Sequence, residues 1–219
     1  MYMQTIFVVG DSTVENGSSP IYGWGGQLAA FLPGIRVENL AKGGRSSKSF
    51  LAEGLFEPAR QQMRTGDLLL IQFGHNDEKD DPERHTDPQT TFPDTLKAYV
   101  SAARASGATP VLLTSVSRNY FLGDGSLLYT HGEYPLAVRT LCQREQIALI
   151  DLEKETRALL ISLGPKDAGG LFVNVAPGAD PQYPEGIEDR SHFCLHGART
   201  VARMVAADLS ALGLIRSHS

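Results

Sequence analysis

Short apolar runs alternate with amphipathic segments along most of the chain. The clearest run is DLLLIQFG over 67–74, a continuous apolar stretch between polar flanks that is typical of a buried parallel strand. Runs of this kind predict five strands, at 5–10, 36–41, 67–74, 110–116 and 147–152. Helical periodicity predicts helices at 23–32, 49–63 with a break near Pro58, 94–107, 134–146, 153–164 and 197–213.

Strands that alternate with helices favour the α/β class. We predict a three-layer α/β/α sandwich with a flavodoxin-like five-stranded parallel sheet in the order 2-1-3-4-5. Two long polar segments, 74–93 and 169–193, interrupt the alternation and read as loops. Loops of this length are uncommon in compact domains and often carry function. No linker-like stretch divides the chain, so we predict one domain over residues 1–219.

Composition excludes several classes of partner. The net charge of −5 argues against a nucleic-acid surface, which needs a basic stripe. No apolar run reaches transmembrane length, and the N-terminus lacks the pattern of a signal peptide. Only two cysteines occur, Cys142 and Cys194, so we expect free thiols. We therefore expect a cytoplasmic protein without nucleic-acid or membrane partners, and the sequence leaves its oligomeric state open.

Small and polar residues follow three of the predicted strands. Strand one ends in GDST (10–13), strand two in NLAKGGRS (39–46) and strand three in GHND (74–77). In a doubly wound sheet, ligands bind beyond the carboxyl ends of the strands, where the strand order reverses. We expect these three segments to meet at one rim and form a site.

Ser12 is the candidate nucleophile at this rim. A serine hydroxyl needs a base within hydrogen-bond reach, and the base needs a third group to orient it. Among the six histidines, His218 lies in the tail and His85 among charged residues. His192 follows Asp189 by three residues, and one tight turn would bring both to the same side. Asp189 would then accept the Nδ1–H and leave Nε2 facing Ser12, although a structural turn explains DRSH equally well.

An acyl-transfer site also needs hydrogen-bond donors for the developing oxyanion. The backbone N–H groups of Ser12 and of either Gly43 or Gly44 are candidates, because glycine permits close approach of the backbone. Asn76 offers a side-chain N–H, although an asparagine after a strand is also a common turn residue.

Together, GDST, a glycine after strand two, GHND and DRSH resemble the four sequence blocks of the SGNH (GDSL-type) hydrolases. The blocks occur in the order of that family and span nearly the whole chain. Within the family, GDSTVE, NLAKGGRSSKSF, IQFGHNDEK and THGEYPLAVR most resemble rhamnogalacturonan acetylesterases and their bacterial relatives. One stretch differs: the chain reads FCLHG after His192, where relatives usually have a Pro-Ala-Gly-like sequence.

The resemblance implies a role for each matching position. Ser12 is the nucleophile, His192 the general base and acid, and Asp189 the residue that orients His192. The oxyanion donors are Ser12, Gly44 and Asn76, since the spacing to the following RS favours Gly44 over Gly43. The implied reaction is hydrolysis of acetyl esters through an acyl-enzyme, without metal or cofactor. The implied substrate is a small acetylated oligosaccharide derived from rhamnogalacturonan or pectin.

Three further residues are candidates for substrate binding. Arg45 can form a basic rim for a uronic-acid carboxylate or simply a solvated helix start. His75 and Tyr134 are further candidates for substrate binding, although His75 also fits a structural hydrogen bond at a strand end. The group His75, Asp77, His85 and Asp87 matches no tight zinc spacing, so we expect no metal. Two rival functions stay open: an esterase for acetyl-xylan, another acylated sugar or a short-chain lipid ester, and a carbohydrate-binding protein with a vestigial serine.

Overall fold

The central strands are apolar on both faces, as expected for a parallel sheet covered by helices on both sides. The computed structural model describes residues 4–215. In the first strand, Ile6 and Val8 pack into one hydrophobic cluster, whereas Phe7 and Val9 pack into another. The same alternation recurs along the third strand, so each layer of helices has its own core.

Five parallel strands form the main sheet in the order β2-β1-β3-β4-β5, which confirms the predicted topology. They are β1 (Thr5–Gly10), β2 (Arg36–Asn39), β3 (Leu68–Gln72), β4 (Thr109–Leu113) and β5 (Ala148–Ile150). Strand β2 is shorter than predicted. It ends at Asn39, whose side-chain amide donates to Val14 O at 2.8 Å and accepts from Ala41 N at 3.2 Å, and so turns the chain out of the sheet.

The helices are α1 (Ser47–Ala52), α2 (Glu57–Gln62), α3 (Thr91–Ala105), α4 (Tyr134–Glu145), α5 (Leu152–Asp167) and α6 (Leu195–Ala211). The helix predicted at 23–32 is a 3-10 helix over Gly25–Phe31. The helix predicted at 49–63 is two helices. The chain turns at Gly54, which has a φ of +72°, and Pro58 lies in the first turn of α2, where its missing N–H costs nothing.

One of the predicted loops contains regular structure. Within 169–193, β6 (Phe172–Val175) and β7 (Ile187–Phe193) form an antiparallel hairpin outside the main sheet. The stretch between them is rich in Gly and Pro, which are typical of loops, so the sequence pattern does not predict this pairing. Helix α6 begins directly after β7 and packs closely against the chain that leads into β6, where a Cβ at Gly197 would lie 1.9 Å from Leu171 O.

The cysteines and the helix lengths bear on two expectations drawn from composition. Cys142 and Cys194 are both free thiols, as predicted. Among residues 4–215, no helix has the length and apolar character needed to cross a bilayer.

Candidate active site

The ends of β1, β2 and β3 meet at one rim of the sheet. The loop after β2 returns to β1, with Lys42 N–H donating to Gly10 O at 2.9 Å. The segment after β3 reaches the same loop, where Asn76 Nδ2 donates to Arg45 O at 3.1 Å. The three polar segments singled out in the sequence are therefore neighbours in space.

A sharp turn directly after β1 places Ser12 at this rim. The backbone N–H groups of Val14 and Glu15 both donate to Asp11 O, at 3.1 and 2.9 Å. The Asp11 carboxylate accepts the N–H and the hydroxyl of Thr13 at 2.9 and 2.8 Å. Asp11 and Thr13 are buried by this turn, whereas Ser12 between them stays partly exposed.

A buried chain of hydrogen bonds supports the turn from below. Trp24 Nε1 donates to Gln72 Oε1 at 2.8 Å, and Gln72 Nε2 donates to the Thr13 hydroxyl at 2.7 Å. That hydroxyl in turn donates to Asp11. Each member is buried and bonded to the next, so the network holds the turn that presents Ser12, while Asp11 Oδ2 has no hydrogen-bond partner among the described residues.

A wide bulge in β7 presents His192 and Asp189. Glu188 pairs with Asn174 and Phe193 with Phe172, so four residues of β7 lie opposite the single residue Val173. Within this bulge, Asp189 Oδ1 accepts the backbone N–H groups of Ser191 and His192, at 2.7 and 2.8 Å. The tight turn expected between positions 189 and 192 is present, but it lies within a strand and not at the start of α6.

Three side chains form one hydrogen-bonded line across the rim. Ser12 Oγ lies 2.9 Å from His192 Nε2, and His192 Nδ1 lies 2.7 Å from Asp189 Oδ2. The bond to Asp189 raises the pKa of His192 above its ordinary value of 6.5, although burial opposes this. Burial alone would raise the pKa of Asp189, but its bonds to the His192 ring and to two backbone N–H groups lower it to about 2. Such a line can move a proton from a hydroxyl to an imidazole.

Three N–H groups of the segments that meet at this rim can donate a further hydrogen bond. Within residues 4–215, the backbone N–H groups of Ser12 and Gly44 have no acceptor. Asn76 Nδ2 uses one hydrogen on Arg45 O and has a second to offer. Gly43 N–H donates to Glu15 Oε2 at 2.9 Å and is therefore occupied. Of the two glycines that the residue pattern left open, this contact favours Gly44 as the one with a free backbone N–H.

Comparison with known proteins identifies the family. Residues 8–176 match the model of the GDSL-like lipase/acylhydrolase family. The chain belongs to this family. It is 43% identical to rhamnogalacturonan acetylesterase RhgT of Bacillus subtilis (strain 168), over 97% of this chain and 93% of that protein. These matches confirm the family resemblance in the sequence and show that the chain is a carboxylic ester hydrolase.

Solved structures give the same fold. The crystal structure of protein YxiM of Bacillus subtilis superposes with a TM-score of 0.82 and 27% identity, over 97% of this chain and 57% of that one. A catalytic mutant of an acetylxylan esterase of Geobacillus stearothermophilus gives a TM-score of 0.66 at 20% identity, over 98% of this chain and 97% of that one.

Two of the predicted substrate-binding residues in this GDSL-like hydrolase are buried. Tyr134 is 6% exposed, and its hydroxyl donates to the carbonyl oxygens of Asp77 and Thr86, so it fastens α4 to the segment after β3. His75 is 5% exposed and meets the edge of the His131 ring at a centroid distance of 4.5 Å. Burial lowers the pKa of His75 well below 6.5, which keeps the ring neutral. Packing covers most of both side chains, and substrate contact by these residues stays a prediction.

The other predicted positions keep some access to solvent or lie away from the site. Arg45 is partly exposed, donates to Gly43 O at 3.0 Å and forms an ion pair with Glu53 at 2.9 Å. His85 is exposed, with Nδ1 at 3.2 Å from Lys79 O. Across residues 4–215, no group of three or more His, Cys, Asp or Glu side chains is arranged to hold a metal ion. His218 lies outside the described residues.

Sequence reasoning missed the structural role of Asp77. Its buried carboxylate accepts the backbone N–H groups of Ser47 and Gly74, at 3.1 and 3.0 Å, and the hydroxyls of Ser47 and Thr86. It thus joins the N-terminus of α1 to the end of β3 and to the 74–93 segment. The signal for this role in the sequence is an aspartate directly after Asn76, at the end of a predicted strand.

A cavity of about 520 Å³ opens beside His192. The β7 bulge forms most of its wall, and Tyr120 from the segment after β4 forms the rest. Tyr120 is 39% exposed, and the Arg190 guanidinium lies 5.7 Å from the centre of its ring. The cavity therefore combines an aromatic surface with a cation next to the imidazole.

Proposed function

We propose that this chain is a serine carbohydrate esterase that removes acetyl groups from rhamnogalacturonan- or pectin-derived oligosaccharides. The observation that supports it most is the hydrogen-bonded line from Ser12 through His192 to Asp189. The similarity to RhgT over nearly the whole length of both proteins supports the choice of substrate. The expected ligand is a small acetylated oligosaccharide, and the proposed reaction uses no metal or cofactor.

The proposed reaction has two half-reactions. His192 Nε2 accepts the proton of Ser12 Oγ as that oxygen attacks the acetyl carbonyl carbon. The backbone N–H groups of Ser12 and Gly44 and the amide of Asn76 bind the resulting oxyanion. When the intermediate collapses, the bond from the carbonyl carbon to the sugar oxygen breaks and His192 protonates that oxygen. Water then attacks the acetyl-enzyme with His192 as base, which releases acetate and restores Ser12.

The cavity beside His192 is suited to the leaving sugar. An exposed tyrosine ring can pack against the face of a pyranose, and a guanidinium can bind the carboxylate of a uronic acid. Tyr120 and Arg190 supply these two groups in a cavity that His192 also lines, where Arg190 is paired with Glu188 at 3.1 Å.

Acetate release from a panel of esters tests this substrate. We expect kcat/KM on acetylated rhamnogalacturonan oligomers to exceed that on acetylated xylan oligomers, and activity on nitrophenyl esters to fall as the acyl chain lengthens from acetate. Equal or higher activity on xylan oligomers would move the enzyme to the acetyl-xylan class. Preference for longer acyl chains would reject the carbohydrate proposal. As a second arm, Tyr120→Ala is expected to raise KM for the preferred oligosaccharide about 3- to 10-fold and to leave KM for 4-nitrophenyl acetate unchanged.

The pH dependence follows from the His192 base. His192 must be neutral to accept a proton, and its pKa is raised above 6.5 by Asp189. We therefore expect kcat/KM to fall on the acid side through a single step whose midpoint lies above pH 6.5. Asp189, with a pKa of about 2, stays ionised throughout this range and adds no step. Enzyme held at each pH and returned to pH 8 before assay separates titration from unfolding, and a midpoint below 6.5 contradicts the assignment.

A further inference from the structure

Glu15 contacts the loop that contains Gly44 but takes no part in the proposed reaction. Its carboxylate lies three residues after Ser12 and spans to the loop Lys42–Arg45 that follows β2. Oε2 accepts the backbone N–H of Gly43 at 2.9 Å, and Oε1 lies 3.2 Å from Lys42 Nζ. One side chain thus joins the segment of the nucleophile to the loop that offers an oxyanion donor.

The geometry of Gly43 explains why this contact matters for Gly44. Gly43 O accepts from Arg45 Nη1 at 3.0 Å, while Gly43 N–H donates to Glu15. Gly43 O and Gly44 N–H belong to the same trans peptide, in which C=O and N–H point in opposite directions. Anchoring Gly43 at its N–H and at its C=O therefore sets the direction of the Gly44 N–H. The φ of +77° at Gly44 is accessible to glycine and strained for other residues.

Gly43 also packs tightly between Glu15 and the nucleophile. A Cβ at this position would lie 2.6 Å from Glu15 Oε2 and 3.5 Å from Ser12 Cβ. Glu15 therefore holds the loop at close range, and its carboxylate is near the place where the oxyanion forms. An unpaired Glu15 carboxylate there would repel the negative charge that develops on the substrate oxygen. The Lys42 ammonium offsets the charge of Glu15.

We propose that Glu15 is a positioning residue that aims the Gly44 N–H at the oxyanion, with Lys42 as the counter-charge that makes a carboxylate tolerable there. This inference rests on the proposed esterase function. It makes two separate claims: the residue at 15 must accept a hydrogen bond, and Lys42 matters only while residue 15 is charged.

The first claim is tested with 4-nitrophenyl acetate and three variants. Glu15→Ala is expected to lower kcat about 10- to 100-fold with KM within twofold, since misdirecting one donor costs less than the 10²- to 10³-fold of removing one. Glu15→Gln retains an acceptor for Gly43 N–H and is expected to stay within threefold of the parent. The matched control is Glu38→Ala on β2. Glu15 and Glu38 are paired with Lys42 and Arg36, and their side chains are 31% and 33% exposed.

The second claim is tested by a double-mutant cycle. Lys42→Met is expected to lower kcat several-fold in the parent, because it leaves the Glu15 carboxylate uncompensated beside the oxyanion. In the Glu15→Gln background the same change is expected to have an effect below twofold, because no charge remains to be neutralised. A purely structural role of the ion pair would lower the melting temperature of Lys42→Met in the parent together with its kcat, whereas the counter-charge role lowers kcat and leaves the melting temperature unchanged.

The outcomes separate this inference from the proposed function. If Ser12→Ala abolishes turnover while Glu15→Ala keeps more than half of the parental kcat, the positioning role is rejected and the esterase function stands. Loss in Glu15→Gln as large as in Glu15→Ala, or an equal loss in Glu38→Ala, also rejects it. Equal effects of Lys42→Met in both backgrounds reject the counter-charge. If Ser12→Ala keeps full activity, the esterase function fails and the inference fails with it.

Discussion

Replacing Ser12 with alanine is expected to lower kcat for acetate release by about 10⁴- to 10⁶-fold, since removing a triad nucleophile costs this much in other serine hydrolases. Among residues 4–215, the Ser12 side chain makes one hydrogen bond, to His192 Nε2, and it is partly exposed. The buried network that supports the turn runs through Thr13 and leaves Ser12 out. The substitution therefore removes the attacking oxygen without disturbing the fold.

Steady-state acetate release and thermal unfolding measure this result. Ser18→Ala is the matched control, because it removes an exposed hydroxyl from the same loop. We expect Ser12→Ala to keep the melting temperature of the parent within about 2 °C, since its truncation leaves no buried polar group without a partner. Activity of Ser12→Ala within tenfold of the parent would exclude Ser12 as the nucleophile, and equal losses in both serine variants would point to a defect of the loop.

Changing Asp189 to asparagine is expected to reduce kcat by about 10³- to 10⁴-fold through the tautomer of His192. One carboxylate oxygen accepts two backbone N–H groups, and the other accepts His192 Nδ1–H. An asparagine oxygen will keep the two backbone bonds, which directs its NH₂ at Nδ1. Nδ1 must then be the acceptor, so the proton moves to Nε2, and Nε2 can no longer take the proton of Ser12.

A control on the same hairpin separates this effect from a general loss of structure. Asp180 also accepts a backbone N–H, from Gln182 at 2.8 Å, so Asp180→Asn makes the same chemical change away from His192. We expect Asp180→Asn to keep full activity. KM should change little in Asp189→Asn, because the loss lies in proton transfer. Activity of Asp189→Asn within threefold of the parent would show that another group orients the base.

Local patterns were sufficient for the sheet. Strands buried on both faces must be apolar at consecutive positions, so runs such as that of β3 are visible in one dimension. Alternation with helices then limits the topology, because parallel strands need crossover connections. Errors occurred where local signals mislead. The Pro- and Gly-rich stretch gives no sign of the β6–β7 hairpin, and Pro58 lies in the first turn of a helix that it was expected to interrupt.

By itself, the sequence determined the family, the order of the sheet and the short list from which the site is built, because strand patterns and family blocks depend on residues close together in the chain. Only the tertiary structure decided which candidates are reachable and which bonds are already occupied. Packing covers most of His75 and Tyr134, and Glu15 occupies the N–H of Gly43 and leaves that of Gly44 free. These outcomes depend on contacts between segments 28 to 180 residues apart, such as Glu15 with Gly43 and Ser12 with His192, which no local pattern records.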